Sequence, residues 1–172
     1  MRGDGAGTDD EGAATTMTDS EAVELRILLL SGPNLQLLGS REPEIYGDET
    51  LADHVSLAST TAAGFGAEVD HLQSNHEGVL VDAIGNARGR CAAIVINPGA
   101  FTHYSWAIHD ALASFDGPVV ELHLSNPQTR ESWRHTSVVA PVADAVIAGL
   151  GGQGYRLAVD AAVSLVARHA VR

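Results

Sequence analysis

Three nearly unbroken aliphatic runs, LRILLL over residues 25–30, CAAIVIN over 91–97 and PVVELHL over 118–124, constrain this chain more than any other feature. Strands that alternate apolar and polar residues have one wet face. Runs without that alternation are buried on both faces, the state of strands in a parallel sheet covered by helices on each side. The intervening sequence agrees. Residues 50–63 have helical spacing, with Leu51, Val55 and Ala58 on one side, and helices are also expected over 77–88, 105–115 and 154–170. Shorter strands are expected over 67–72 and 144–148. Strand and helix alternating five times predicts one doubly wound α/β domain, with a five-stranded parallel sheet between two helical layers.

The chain has 172 residues, 45% of them apolar, with mean hydropathy +0.04, enough for one core-bearing domain and too little for two. Residues 1–24 are rich in Gly, Thr, Asp and Ala without apolar periodicity, so they are expected to be a disordered acidic leader to a domain over 25–172. They lack the basic start and apolar centre of a secretory signal, and no apolar run approaches the roughly 20 residues of a membrane span. The net charge of −12 is shared equally between the leader and the remainder, and no basic cluster offsets it. Nucleic acid and anionic membranes are therefore unsuitable partners. The one cysteine, Cys91, opens an apolar run and suits a reducing compartment, so a cytoplasmic location is expected. All ten basic residues are arginine; there is no lysine.

In doubly wound sheets ligands bind beyond the carboxyl ends of the strands. The chemically capable residues follow those ends. Asn34, Arg41 and Tyr46 come after the first strand; Asn97 and then His103 after the third; Glu121, His123, Ser125, Arg130 and Arg134 on or after the fourth. Residues i and i+2 of a strand point to the same side, so Glu121 and His123 share a face. A carboxylate beside an imidazole orients the ring and favours its protonated form, which makes His123 a candidate proton donor. The same pair also reads as a satisfied polar pair at a strand end. Arg41 and Tyr46 raise a different possibility. One cation about 4 Å from a phenol, at an effective dielectric of ~20, is worth at most about 4 kcal/mol, enough to bring a group that titrates near 10 toward neutrality. On spacing alone, Tyr46 reads more readily as a tyrosine packed at the end of its loop beside a solvated arginine.

Other motifs carry less. GLGGQG at 149–154 matches a dinucleotide fingerprint literally, but only one helix follows it, so it reads as a glycine turn. His76-Glu77 lacks the second histidine of a zinc-protease helix, and His54, His71, His109 and His169 have no partner at ligand spacing. No serine occupies a Gly-x-Ser-x-Gly elbow.

Five stretches, GPNLQLLGSREPEIYG, QSNHEGVLVDAI, INPGAFTHYSWAIHDAL, VELHLSNPQTRESWRHTS and AGLGGQGYRLA, together resemble the type II 3-dehydroquinate dehydratases, in that family's order and over about residues 26–160. The resemblance implies a flavodoxin-like fold, a dodecameric assembly and a hydro-lyase that needs neither metal nor cofactor. It would convert 3-dehydroquinate to 3-dehydroshikimate, a step shared by aromatic amino acid biosynthesis and quinate breakdown, by anti elimination through an enolate. By the same resemblance Tyr46 is the base, Arg41 activates it, and Asn34 helps hold the water that stabilises the enolate. His123 is the general acid, positioned by Glu121 and Asn97. Substrate is held by Asn97, His103, Asp110, Leu124, Ser125 and Arg134, with Asp110 reaching the site of a neighbouring subunit. The type I class of the same activity forms a Schiff base through lysine, a route this lysine-free chain cannot take.

The chain departs from the family pattern at Ser31, Gln36 and Trp106, none of them an expected catalytic position. A second reading is a non-catalytic flavodoxin-like module holding a flavin, nucleotide or other anion at the same sheet edge. A Tyr/Arg pair and a Glu-x-His pair on separate loops serve no purpose in such a binder.

Overall fold

The aliphatic runs form the centre of a sheet, and their two faces separate into two cores. The computed structural model describes residues 25–40 and 48–171. Strands β1 (Leu25–Ser31), β2 (Ala67–Gln73), β3 (Ala93–Asn97), β4 (Val119–His123) and β5 (Ala145–Ala148) make one parallel sheet in the order β2-β1-β3-β4-β5. This is the doubly wound, flavodoxin-like order. Helices α1 (Leu51–Ala63) and α4 (Gln153–His169) cover one face, and α2 (Glu77–Ala87) and α3 (Trp106–Ala113) the other. Ile27, Leu29, Val95, Val120 and Leu122 pack with Ala58 and Ala62 of α1 and with Tyr155, Ala158 and Val159 of α4. Leu28, Leu30, Ile94 and Ile96 pack with Leu80 and Ile84 of α2 and Ile108 and Leu112 of α3. Each Val, Leu or Ile among these, fully buried, contributes about 1.5–3 kcal/mol of transfer free energy.

Capping accounts for where the helices begin. Thr50 and Asp53 form a reciprocal capping box on α1, and the Ser105 hydroxyl accepts the Ile108 N–H at 3.1 Å, so α3 starts one residue later than its periodicity predicts. The third strand begins at Ala93 and not at Cys91. The Cys91 N–H donates to Ala87 O at 2.8 Å and so belongs to the end of α2. The leader expected over 1–24 lies outside the described residues.

The strand order turns back between β1 and β3, and their ends meet closely there. The Gly32 N–H donates to Asn97 O at 2.7 Å. A Cβ on Gly32 would lie 2.3 Å from Pro98 O, so only glycine fits. Beyond it, Asn34 turns the chain with a φ of 66°, and its N–H donates to Asn75 Oδ1 at 2.9 Å. Gly39, at φ 82°, packs against Asp48, where an added Cβ would come within 3.0 Å of Asp48 O.

Gly32→Ala is expected to lower stability by about 1–3 kcal/mol by forcing the β3 loop away. Gly85→Ala, in α2, where an added Cβ meets nothing within 4 Å, is expected to be neutral or stabilising by up to about 1 kcal/mol. Urea midpoints of the two variants check the contrast, and an unchanged midpoint for Gly32→Ala would contradict it.

Candidate active site

The carboxyl ends of β1, β3 and β4 open onto a cleft. Asn34, Leu35 and Leu38 line it from the first loop, and Asn97, Gly99, Ala100 and His103 from the segment after β3. His123, Leu124, Ser125 and Pro127 line it from β4 and its exit, with Arg130 and Arg134 just beyond. The cleft thus gathers Asn34, Asn97, His103, His123, Leu124, Ser125 and Arg134, and Glu121 stands directly behind His123.

Because Val120 and Leu122 pack toward α4, the alternation of β4 turns Glu121 and His123 together to the opposite face. The His123 Nε2–H donates to Glu121 Oε1 at 2.8 Å. The carboxylate has no solvent exposure, and such a charge is tolerable only when its oxygens are filled. Thr102 Oγ1 donates to Oε1, and Ser137 Oγ lies 3.1 and 3.2 Å from the two oxygens. Burial pushes the Glu121 carboxyl up, but the His123 hydrogen bond and charge, with the Thr102 and Ser137 hydroxyls, outweigh it and hold it below the usual carboxylate range. Ser137 Oγ also accepts the N–H groups of Val139 and Ala140, at 3.1 and 2.8 Å, which fixes that hydroxyl beneath Glu121.

The rim is held by a second set of contacts. The His103 Nδ1–H donates to Thr136 O at 2.7 Å, and its ring meets Trp133 edge-on at 5.2 Å. Arg134 stacks over the same indole, 4.1 Å from its centroid, and its Nε donates to Glu131 at 2.7 Å. A guanidinium so oriented has its remaining donors available to an anion.

Not every expected residue joins the cleft. Asp110 is exposed on α3 and does not line it. Arg41 and Tyr46 lie outside the described residues. Conversely, Thr102 and Ser137 stand 19 and 16 residues from Glu121, a separation at which no sequence spacing announces them. Gln36, one of the departures, accepts from Gln73 Nε2 at 3.0 Å and stays at the rim.

The isolated histidines have local partners. His54 is buried in a stack on Tyr155, His71 Nε2 lies 3.1 Å from Ser31 Oγ, and His109 and His169 donate to Val138 O and Leu165 O. The glycine run forms a turn through Gly149 and Gly151, both at positive φ, just before α4. Among the described residues no three His, Cys, Asp or Glu side chains cluster so as to hold a metal.

The ionisation of Glu121 carries a testable sign. Its folded value is depressed, so its contribution to stability is complete above the ordinary glutamate value of about 4.3 and is lost as pH falls through the depressed one. The loss of urea midpoint caused by Glu121→Gln should accordingly be constant above about pH 5 and shrink below about pH 4. A difference that does not change with pH would show that the buried carboxylate is not held ionised.

Comparison with known proteins adds a family to this geometry. The profile of the family described as Dehydroquinase class II matches residues 25–163. The 3-dehydroquinate dehydratase of Corynebacterium glutamicum (strain R) is 56% identical over 140 residues, 81% of this chain and 97% of that protein. Catabolic 3-dehydroquinase 2 of Aspergillus flavus is 56% identical over 137 residues, 80% of this chain and 91% of that protein. The crystal structure of the type II dehydroquinase from Butyrivibrio crossotus superposes with a TM-score of 0.80 at 44% identity, covering 83% of this chain and 99% of that one. With the strand order, the cleft and these relatives in agreement, the chain belongs to the class II dehydroquinase family.

Proposed function

We propose that this protein dehydrates 3-dehydroquinate to 3-dehydroshikimate by anti elimination through an enolate. The observation that carries the reading is His123, backed by a fully buried and fully hydrogen-bonded Glu121, at the wall of a cleft lined by Asn97, His103 and Arg134. The substrate is a β-hydroxy ketone. Its α-proton is acidic enough for a phenolate base once donors meet the developing enolate oxygen.

Tyr46 takes that proton, with Arg41 favouring its ionised form, and the C–H electrons move into the enolate. Water held near Asn34 donates to the enolate oxygen. Collapse of the enolate expels the hydroxyl on the neighbouring carbon, and His123 protonates it so that water leaves. The Nε2–H of His123 is committed to Glu121, so Nδ1 carries the transferred proton. Asn97, His103, Ser125 and Arg134 hold the substrate, and the backbone at Leu124 and Ser125 meets its carboxylate. No step calls on a metal or a cofactor.

Asp110 faces away from its own cleft and serves the site of a neighbouring subunit within a homo-oligomer, a dodecamer by family resemblance. The acidic chain has no reason to meet nucleic acid. No described helix is long and apolar enough to cross a membrane, and we place the enzyme in the cytoplasm.

The test is direct. Addition of 3-dehydroquinate should give a rising ultraviolet absorbance from the conjugated enone, and no rise would sink the reading. Tyr46→Phe and His123→Ala should each lower kcat by about 10²–10⁴-fold with the fold intact; wild-type turnover in either would refute its assigned role. Sharing of the site has its own check. Co-refolding Asp110→Ala with His123→Ala should restore activity that neither variant has alone, because mixed oligomers contain sites with both residues. Absence of restoration in verified mixed oligomers would overturn the assignment of Asp110.

A further inference from the structure

Ser31 and Asn97 end β1 and β3 as register partners, and both are buried. Each belongs to the strand positions that face α1 and α4, the side of Leu29 and Val95. Beneath them stands Tyr155, from the first turn of α4, its ring fully buried and lying parallel to His54 with 5.0 Å between centroids. The Tyr155 hydroxyl lies close enough to Asn97 and Ser31 for both to ease its ionisation a little, but it makes a well-formed hydrogen bond with neither. Burial pushes this phenol up to about 12, so it stays protonated and retains a proton to donate. A phenylalanine would fill the same space without leaving a polar atom unpaired.

The two neighbours differ in what they still lack. Ser31 Oγ already has the His71 ring at 3.1 Å. The Asn97 carboxamide has one long bond, from the Gly99 N–H to Oδ1 at 3.3 Å, and its oxygen can accept a second. Asn97 also lines the cleft. It is therefore the group through which an unpaired hydroxyl in the core can reach a ligand.

We propose that Tyr155 is a positioning residue for the substrate-binding carboxamide of Asn97. On substrate binding its O–H donates to Asn97 Oδ1, which leaves both amide hydrogens of Asn97 directed at the substrate. This rests on the dehydratase reading, in which Asn97 contacts substrate.

Tyr155→Phe tests it, because the stability and affinity effects have opposite signs. Its urea midpoint should equal or exceed that of wild type, while KM for 3-dehydroquinate should rise roughly 3- to 10-fold, the effect of one neutral hydrogen bond, with kcat changed less. In an Asn97→Ala background the same substitution should raise KM no further. An unchanged KM in an active Tyr155→Phe enzyme would overturn the inference and leave the dehydratase reading standing. So would a KM rise that persists undiminished in Asn97→Ala, or a lowered midpoint, which would mean that the hydroxyl is already bonded without ligand. A wild-type protein that does not convert 3-dehydroquinate would overturn both together.

Discussion

The reversal of strand order between β1 and β3 is the constraint on which the site depends. Chains leaving adjacent parallel strands toward opposite faces open a crevice, and only a close backbone contact keeps that crevice in register. Gly32 supplies the contact through its N–H to Asn97 O. Asn34 and Asn97 thereby sit on either side of a single hydrogen bond, one in a left-handed turn and the other ending a buried strand.

A second constraint is electrostatic. Glu121 has no solvent exposure, and removing one partner from a buried charge typically costs about 3–5 kcal/mol. Its three donors come from three places: His123 on its own strand, Thr102 from the segment after β3 and Ser137 from the loop after β4. The carboxylate therefore does more than orient an imidazole. It gathers the walls of the cleft around one charge, and Ser137 extends that grip to the backbone of Val139 and Ala140.

Much of this was legible in the sequence, for identifiable reasons. The short aliphatic runs are typical of strands buried on both faces, and the period of 2 puts Glu121 and His123 on one face of such a strand. The polar residues after strands one, three and four marked the ligand edge. Thr102 and Ser137 were not legible, because their role arises only when the loops after β3 and β4 fold over the same carboxylate. Tyr155 was hidden for another reason: in the pattern of α4 it is simply an apolar position, and its hydroxyl matters only beside Ser31 and Asn97. Asp110 shows the converse. The resemblance assigns it to a site, whereas within this chain it is exposed on α3.

The contact of Gly39 with Asp48 bears on the chain between them. Its two points of attachment to the fold are already neighbours, so the entropy of closing that loop is met by the domain itself. Closure entropy grows slowly with length, by about 0.6 kcal/mol for each doubling. A change in the length of chain between Gly39 and Asp48 therefore costs the sheet little stability.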